Sequence, residues 1–231
     1  MDHYACDSLK TRAAFHYLKE NGKLEIYEEY LKNKKEKTDG SWLWNQVPKS
    51  VIDSVIQEAI GKETLPSLFE RVDKLCNGKP VDMIIGGPPC QAYSVAGRAR
   101  LGKKIEEDPR NDLYKFYVEF LKRYKPKMFV FENVLGIFTA KGGEPFRDLI
   151  RLVRELDYNI DFREQIASQH GVLQKRHRVI IVGWQNKRDT QEDTSYHYPY
   201  LLEEQMPYKM MRDLFCDLPI VCLLYTSDAA D

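Results

Sequence analysis

The stretch Asp82-Met83-Ile84-Ile85-Gly86-Gly87-Pro88-Pro89-Cys90-Gln91-Ala92-Tyr93-Ser94 decides how the rest of the chain reads. A short apolar run, Val81–Ile85, lies between Pro80 and Gly86, which predicts a strand buried on both faces. Two glycines end it, two prolines stiffen the turn, and Cys90 stands where the strand's C-terminal end opens. Open parallel α/β sheets hold their ligands just outside such strand ends. A packed thiol is the commoner role for a lone cysteine. The rigid turn before Cys90 and the polar Gln91 and Ser94 after it favour a reactive one.

Working outward, strands and helices alternate. Residues 3–21 read as a helix with apolar positions Ala5, Leu9, Ala13, Phe15, Tyr17 and Leu18, stopped by Asn21-Gly22. Residues 24–36 suggest a second, highly charged helix, Ser41-Trp42-Leu43-Trp44 a loop, and 48–60 and 64–76 two more helices. After the glycine- and charge-rich segment 95–108, Asp108-Pro109 opens a helix to about Tyr124, with Asp108 as N-cap and Pro109 at the first helical position. Met128–Phe131 is a buried-type strand, Glu144–Leu156 an amphipathic helix, and Asn159–Ala167 and Arg178–Gly183 are strands. The alternation predicts an α/β fold: a mainly parallel sheet with helices on both faces.

The 231 residues suit one domain, with room for an extra lobe. Five scattered cysteines, with no Cys-x-x-Cys pair, argue against structural zinc and a disulfide scaffold, so no metal site is expected. No apolar run is long enough to span a membrane, and a reducing cytoplasm is the expected setting. The formal net charge is zero but unevenly spread: Val81 to Arg188 holds 20 Lys+Arg against 13 Asp+Glu. That excess overlaps the cysteine segment, where a polyanion would be attracted, though solvated helix faces account for it equally well.

Three segments carry chemistry. A free thiol has a pKa of about 8.5, so Cys90 as nucleophile needs a lowered pKa or a substrate activated at the same moment. In Phe129-Val130-Phe131-Glu132-Asn133-Val134 a carboxylate ends a hydrophobic strand. A sheet-end salt bridge would explain Glu132. If this strand neighbours the cysteine strand, Glu132 and Cys90 open into one crevice, and a partly desolvated Glu132 could hold and donate a proton. In Gln174-Lys175-Arg176-His177-Arg178-Val179-Ile180-Ile181-Val182-Gly183, Arg176 and Arg178 alternate at strand spacing and share a face. Two guanidiniums there suit phosphate oxygens or a base carbonyl; surface arginines at the start of a strand are the plain alternative.

Together, in this order and spacing, the three segments resemble the DNA (cytosine-5) methyltransferases of restriction-modification systems. Gly86-Gly87-Pro88-Pro89-Cys90-Gln91-Ala92-Tyr93-Ser94 is similar to that family's nucleophile motif, Glu132-Asn133-Val134 to its cytosine-binding motif, and Gln174-x-Arg176-x-Arg178 to its third active-site motif. Asp108-Pro109-Arg110-Asn111-Asp112-Leu113 and Asp213–Pro219 fit expected positions, and the resemblance covers roughly residues 2–219.

The resemblance implies a Rossmann-like S-adenosylmethionine-dependent methyltransferase fold and methyl transfer to C5 of a cytosine flipped out of duplex DNA. It implies that Cys90 adds to C6, Glu132 contacts N3 and the exocyclic amine, Arg178 holds the O2 carbonyl, and Arg176 supports the loop or a phosphate. Gly87, Pro89 and Leu113 would remain of the S-adenosylmethionine site, and Gln91, Ser94, Arg98 and Arg100 would meet DNA, the last two from a mobile loop over Val95–Glu107. Duplex DNA is the implied partner, with a monomeric enzyme and a cognate restriction endonuclease acting on the same site.

Departures from the family pattern shape the expected organisation. The family's first strand with its Phe-x-Gly-x-Gly cofactor loop has no counterpart, and Leu173 stands where a proline is frequent. Residues 1–219 are expected to form an incomplete catalytic domain with a helical insert at about 24–75, without the target-recognition domain. Cys222–Asp231 matches the translation of a sequencing-library adapter and is expected to be a non-native tail. On its own such a chain is expected to bind S-adenosylmethionine poorly and to be inactive. A tRNA cytosine-5 methyltransferase shares the three motifs, and a nucleic-acid-binding remnant is the non-enzymatic alternative. A cysteine hydrolase would need a general-base histidine, and none of His3, His16, His170, His177 or His197 carries a motif for it.

Overall fold

A computed structural model describes residues 2–32, 40–88 and 112–186. Contacts divide the chain into two units, Met1–Pro80 and Val81–Asp231.

The first unit is helical. Helix α1 (His3–Glu20) is capped by the Asp2 carboxylate, which accepts from the backbone N–H groups of Tyr4 and Ala5 at 2.9 and 3.4 Å. It buries Cys6, Ala14 and Leu18, while Leu9, expected inside, is half exposed. Helices α2 (Leu24–Lys32), α3 (Ser41–Trp44), α4 (Lys49–Asp53) and α5 (Leu65–Cys76) follow. Ala14, Leu18, Tyr30, Leu43 and Val47 form one small core. Two expectations are corrected here. Ser41–Trp44 is a helical turn, not a loop, because Leu43 turns into that core and Trp44 donates to Thr11 Oγ1 at 3.2 Å. The helix expected over 48–60 stops at Asp53, where the Ser54 hydroxyl turns back to the carbonyl of Val51 at 2.6 Å and competes with the helical ladder.

The second unit is α/β. Strands β1 (Met83–Gly86), β2 (Met128–Asn133), β3 (Tyr158–Ile166) and β4 (His177–Gln185) form one sheet in the order β1-β2-β4-β3. The first pair is parallel; β4 runs antiparallel to both β2 and β3. The described sheet is therefore mixed, where a mainly parallel one was expected. The cause is local: β3 and β4 are joined by residues 167–176, which hold only the short 3-10 turn Ala167–Gln169, and a connection without a crossover helix returns the chain antiparallel.

Helices α6 (Leu113–Tyr124) and α7 (Glu144–Glu155) pack on the same face of this sheet, not on opposite faces. Tyr117, Val118 and Leu121 of α6 and Leu149 and Val153 of α7 meet Phe129 and Phe131 of β2 and Val179 and Ile181 of β4. Burying each phenylalanine contributes about 1.5–3 kcal/mol. Across the helix pair, Tyr114 donates to Asp148, whose carboxyl is held below the ordinary carboxylate range first by that hydroxyl and then by Arg151. Its contribution is present above the ordinary carboxylate pKa and is lost as pH falls through the lowered one. On the other face Met83 and Ile85 are 45% and 73% exposed, so β1 is not the doubly buried strand expected. The expected helix start at Asp108-Pro109 lies outside the described residues, as do residues 33–36 of the expected second helix. No helix among the described residues is long and apolar enough to cross a membrane.

Tyr117 ties the sheet to α6. Its ring lies edge-on to Phe131 at 5.1 Å, and its hydroxyl donates toward the carbonyls of Ile84 in β1 and Val130 in β2, at 3.1 and 3.0 Å. A Cβ at Gly86 would stand 2.7 Å from the Tyr117 ring, so only glycine lets the phenol reach both strands. Burial pushes the Tyr117 pKa well above the ordinary phenol range. Its stabilisation is complete below the ordinary pKa of about 10 and lost as pH rises above it. Tyr117→Phe should lower the unfolding free energy in urea titrations by about 1 kcal/mol near neutral pH, and less above about pH 10. An equal loss at both pH values would contradict this.

Candidate active site

The parallel register Gly86↔Phe131 makes Gly87 and Glu132 neighbours just past the last rung of β1. A Cβ on Gly87 would stand 2.8 Å from Glu132 Oε2, so this glycine opens the space the carboxylate occupies. Asn133 continues the buried face of β2 beyond Phe129 and Phe131, and is the buried polar side chain of the described residues. Its Nδ2 approaches the Pro88 carbonyl at 3.5 Å, and its Oδ1 accepts from the Val134 N–H at 2.9 Å. The turn leading toward Cys90 thus has a bracing partner on β2 that the sequence reading passed over. An asparagine in phase with two buried phenylalanines was the signal.

Because β4 is antiparallel, its first residues reach the edge where β1 and β2 end. Asn133 pairs with Val179, and Arg178 lies one residue further out. Its Nε donates to Glu132 Oε1 at 2.7 Å and its Nη1 to the His177 carbonyl, also at 2.7 Å. Glu132 and Arg178 side chains are 42% and 23% exposed. Glu132, expected to be partly desolvated, is ion-paired at a half-open sheet edge. Such a pair holds both groups in place without closing the site, since one carboxylate oxygen and part of the guanidinium fork remain to meet a polar ligand.

Of the residues singled out from sequence, the structure brings Gly87, Glu132 and Arg178 together. Arg176 precedes β4 and is exposed, its carbonyl accepting from the Ala167 N–H at 2.9 Å. Leu113 opens α6, one helical turn before Tyr117, and is partly buried. Pro89, Cys90, Gln91, Ser94, Arg98 and Arg100 lie outside the described residues, as do the loop 95–107, the segment Asp213–Pro219 and the tail 222–231.

Residues 69–217 match the family model of the C-5 cytosine-specific DNA methylases. The chain belongs to this family. It is 30% identical over 248 aligned positions to a Type II methyltransferase of Bacillus paralicheniformis, covering 95% of this chain and 54% of that protein. A Type II methyltransferase of Fusobacterium nucleatum is 36% identical over 137 positions, covering 59% of this chain and 38% of that one. Among solved structures, an Entamoeba histolytica methyltransferase overlaps at a TM-score of 0.42 and 18% identity, covering 68% of this chain and 45% of that chain. The chain spans about half the length of the Bacillus relative and less of the other.

For a member of this family, the contact between Glu132 and Arg178 is the feature most open to measurement. A double-mutant cycle of Glu132→Gln and Arg178→Gln, read by urea unfolding, should give a coupling of about 0.5–1 kcal/mol. Gly87→Ala should bring that coupling near zero while leaving the chain folded, because its methyl group takes the carboxylate's place. Undiminished coupling in the Gly87→Ala background would contradict the geometry.

Proposed function

We propose that the protein transfers a methyl group from S-adenosylmethionine to C5 of a cytosine flipped out of duplex DNA. The observation that carries this reading is the Glu132–Arg178 pair at the C-terminal edge of the parallel β1–β2 pair, with Cys90 two residues beyond Pro88. Family membership, the Type II methyltransferases among the relatives and the basic excess of Val81–Arg188 support it.

C5 of cytosine is a poor nucleophile and lies inside the stack, so the base must leave the helix first. The Cys90 thiolate adds to C6, forming an S–C6 bond and pushing electrons toward C5. Glu132 meets N3 and the exocyclic amine and supplies a proton at N3, which makes C6 more electrophilic. Arg178 holds the O2 carbonyl, and Arg176 supports the loop or a phosphate. S-adenosylmethionine, when bound, supplies an electrophilic methyl group on a sulfonium. Once C5 carried that methyl group, with S-adenosylhomocysteine as the leaving group, C5 would lose its proton to water, the N3 proton would return to Glu132, and the Cys90 thiolate would leave as the C5–C6 double bond reforms.

Gly87, Pro89 and Leu113 are the residues proposed to hold S-adenosylmethionine. Their fit rests on Leu113 lying one turn before Tyr117, whose ring touches Gly86 at the edge where Gly87 stands. Gln91, Ser94, Arg98 and Arg100 are proposed to meet DNA. We further propose residues 1–219 as catalytic domain with a helical insert at about 24–75, a monomeric enzyme acting in the cytoplasm, and a cognate endonuclease acting on the same site.

The full-length protein with S-adenosylmethionine should form a denaturant-resistant adduct with amplified duplex DNA in which 5-fluorocytosine replaces cytosine, because fluorine cannot leave C5 as a proton does. Cys90→Ser should form none. Undiminished trapping by Cys90→Ser would remove Cys90 from its role.

A further inference from the structure

We propose that Glu164 and His177 are positioning residues: their side-chain pair fixes the end of the β3–β4 hairpin from which Arg178 reaches Glu132. In its catalytic consequence the proposal rests on the function argued above. The pairing of β2 with β4 ends at Asn133↔Val179, whereas that of β3 with β4 continues through Arg178 to His177. Arg178 and His177, whose carbonyl it takes, therefore project past β2 and are held in the sheet by β3 alone.

At this overhang Glu164 is opposite Val179 and Ile166 opposite His177, so Glu164 and His177 share a face as a diagonal cross-strand pair. His177 Nδ1 meets Glu164 Oε1 at 2.5 Å, and facing a carboxylate Nδ1 carries the proton. Arg178 lies on the other face, opposite Gln165, yet takes the His177 carbonyl with Nη1. The imidazole clamp and the guanidinium thus act on the same peptide from opposite sides. With Nε on Glu132 and Nη1 on that carbonyl, Nη2 is the nitrogen proposed to hold a base carbonyl. If the clamp is lost, the peptide that turns the fork is held in the sheet by its register with β3 alone. His177 sits between the two arginines of the motif, at a position to which no role had been given.

The test uses the full-length protein, ¹⁵N-labelled at arginine. The Nε–H resonance of Arg178 is identified by its disappearance in Arg178→Lys. In Glu164→Ala its exchange with water should rise about fivefold or more, since exchange reports local opening. His177→Gln keeps an N–H for Glu164 and should stay within about twofold of the parent, whereas His177→Ala should behave as Glu164→Ala does. In methyl transfer to amplified, unmethylated plasmid DNA, Glu164→Ala should lower kcat about tenfold with little change in KM for DNA, and His177→Gln should restore it. An unchanged Arg178 exchange rate in folded Glu164→Ala and His177→Ala would overturn the proposal. If the parent protein transfers no methyl group at all, the functional reading falls, while the exchange rates still decide whether the clamp positions Arg178.

Discussion

The parallel pairing of β1 with β2 is the constraint on which the site depends, and Tyr117 is what binds that pairing to the core. Parallel strands cannot be joined by a short turn, so a helical crossover must be packed down for the pair to persist. Tyr117 does this from α6, placing one hydroxyl between carbonyls of both strands and one ring edge against Phe131. Gly86 is the complement of that ring. Once the two strands end together, a turn from one and a carboxylate from the other must share the same edge.

The antiparallel strand β4 completes the arrangement by bringing a cation to that edge from the opposite direction. Glu132 lies on the face turned away from the helices, so its charge is not forced into the apolar core. The Arg178 pair gives it a partner while both remain partly open. A more buried pair would carry a larger desolvation cost, and a fully exposed one would hold no fixed geometry. The half-open edge suits a site that must hold its groups ready and still admit a planar polar ligand.

Much of this was readable from the residues. The periodicity of Glu144–Leu156 and the apolar run at Met128 predicted α7 and β2 closely. The motif positions of Glu132 and Arg178 were evident, but their contact was not, since it depends on β4 lying between β2 and β3. The direction of β4 follows from the connection 167–176, which is too short for a crossover helix, a signal outweighed by the strand–helix alternation elsewhere. The burial of β1 was overread because a short apolar run such as Val81–Ile85 shows its hydrophobicity and not how many faces are covered. Glycine read as strand termination turned out to be side-chain clearance, at Gly86 for a phenol and at Gly87 for a carboxylate. Clearance depends on which distant side chain arrives, which local spacing does not encode.

The activity proposed for this edge is methyl transfer to carbon 5 of cytosine in DNA. The most direct measurement is nucleoside mass spectrometry of unmethylated duplex DNA and of tRNA, each incubated with the full-length protein and isotope-labelled S-adenosylmethionine. Labelled 5-methyl-2′-deoxycytidine is expected from the DNA. Label on the exocyclic amine of cytosine, on adenine, or on tRNA alone would contradict it.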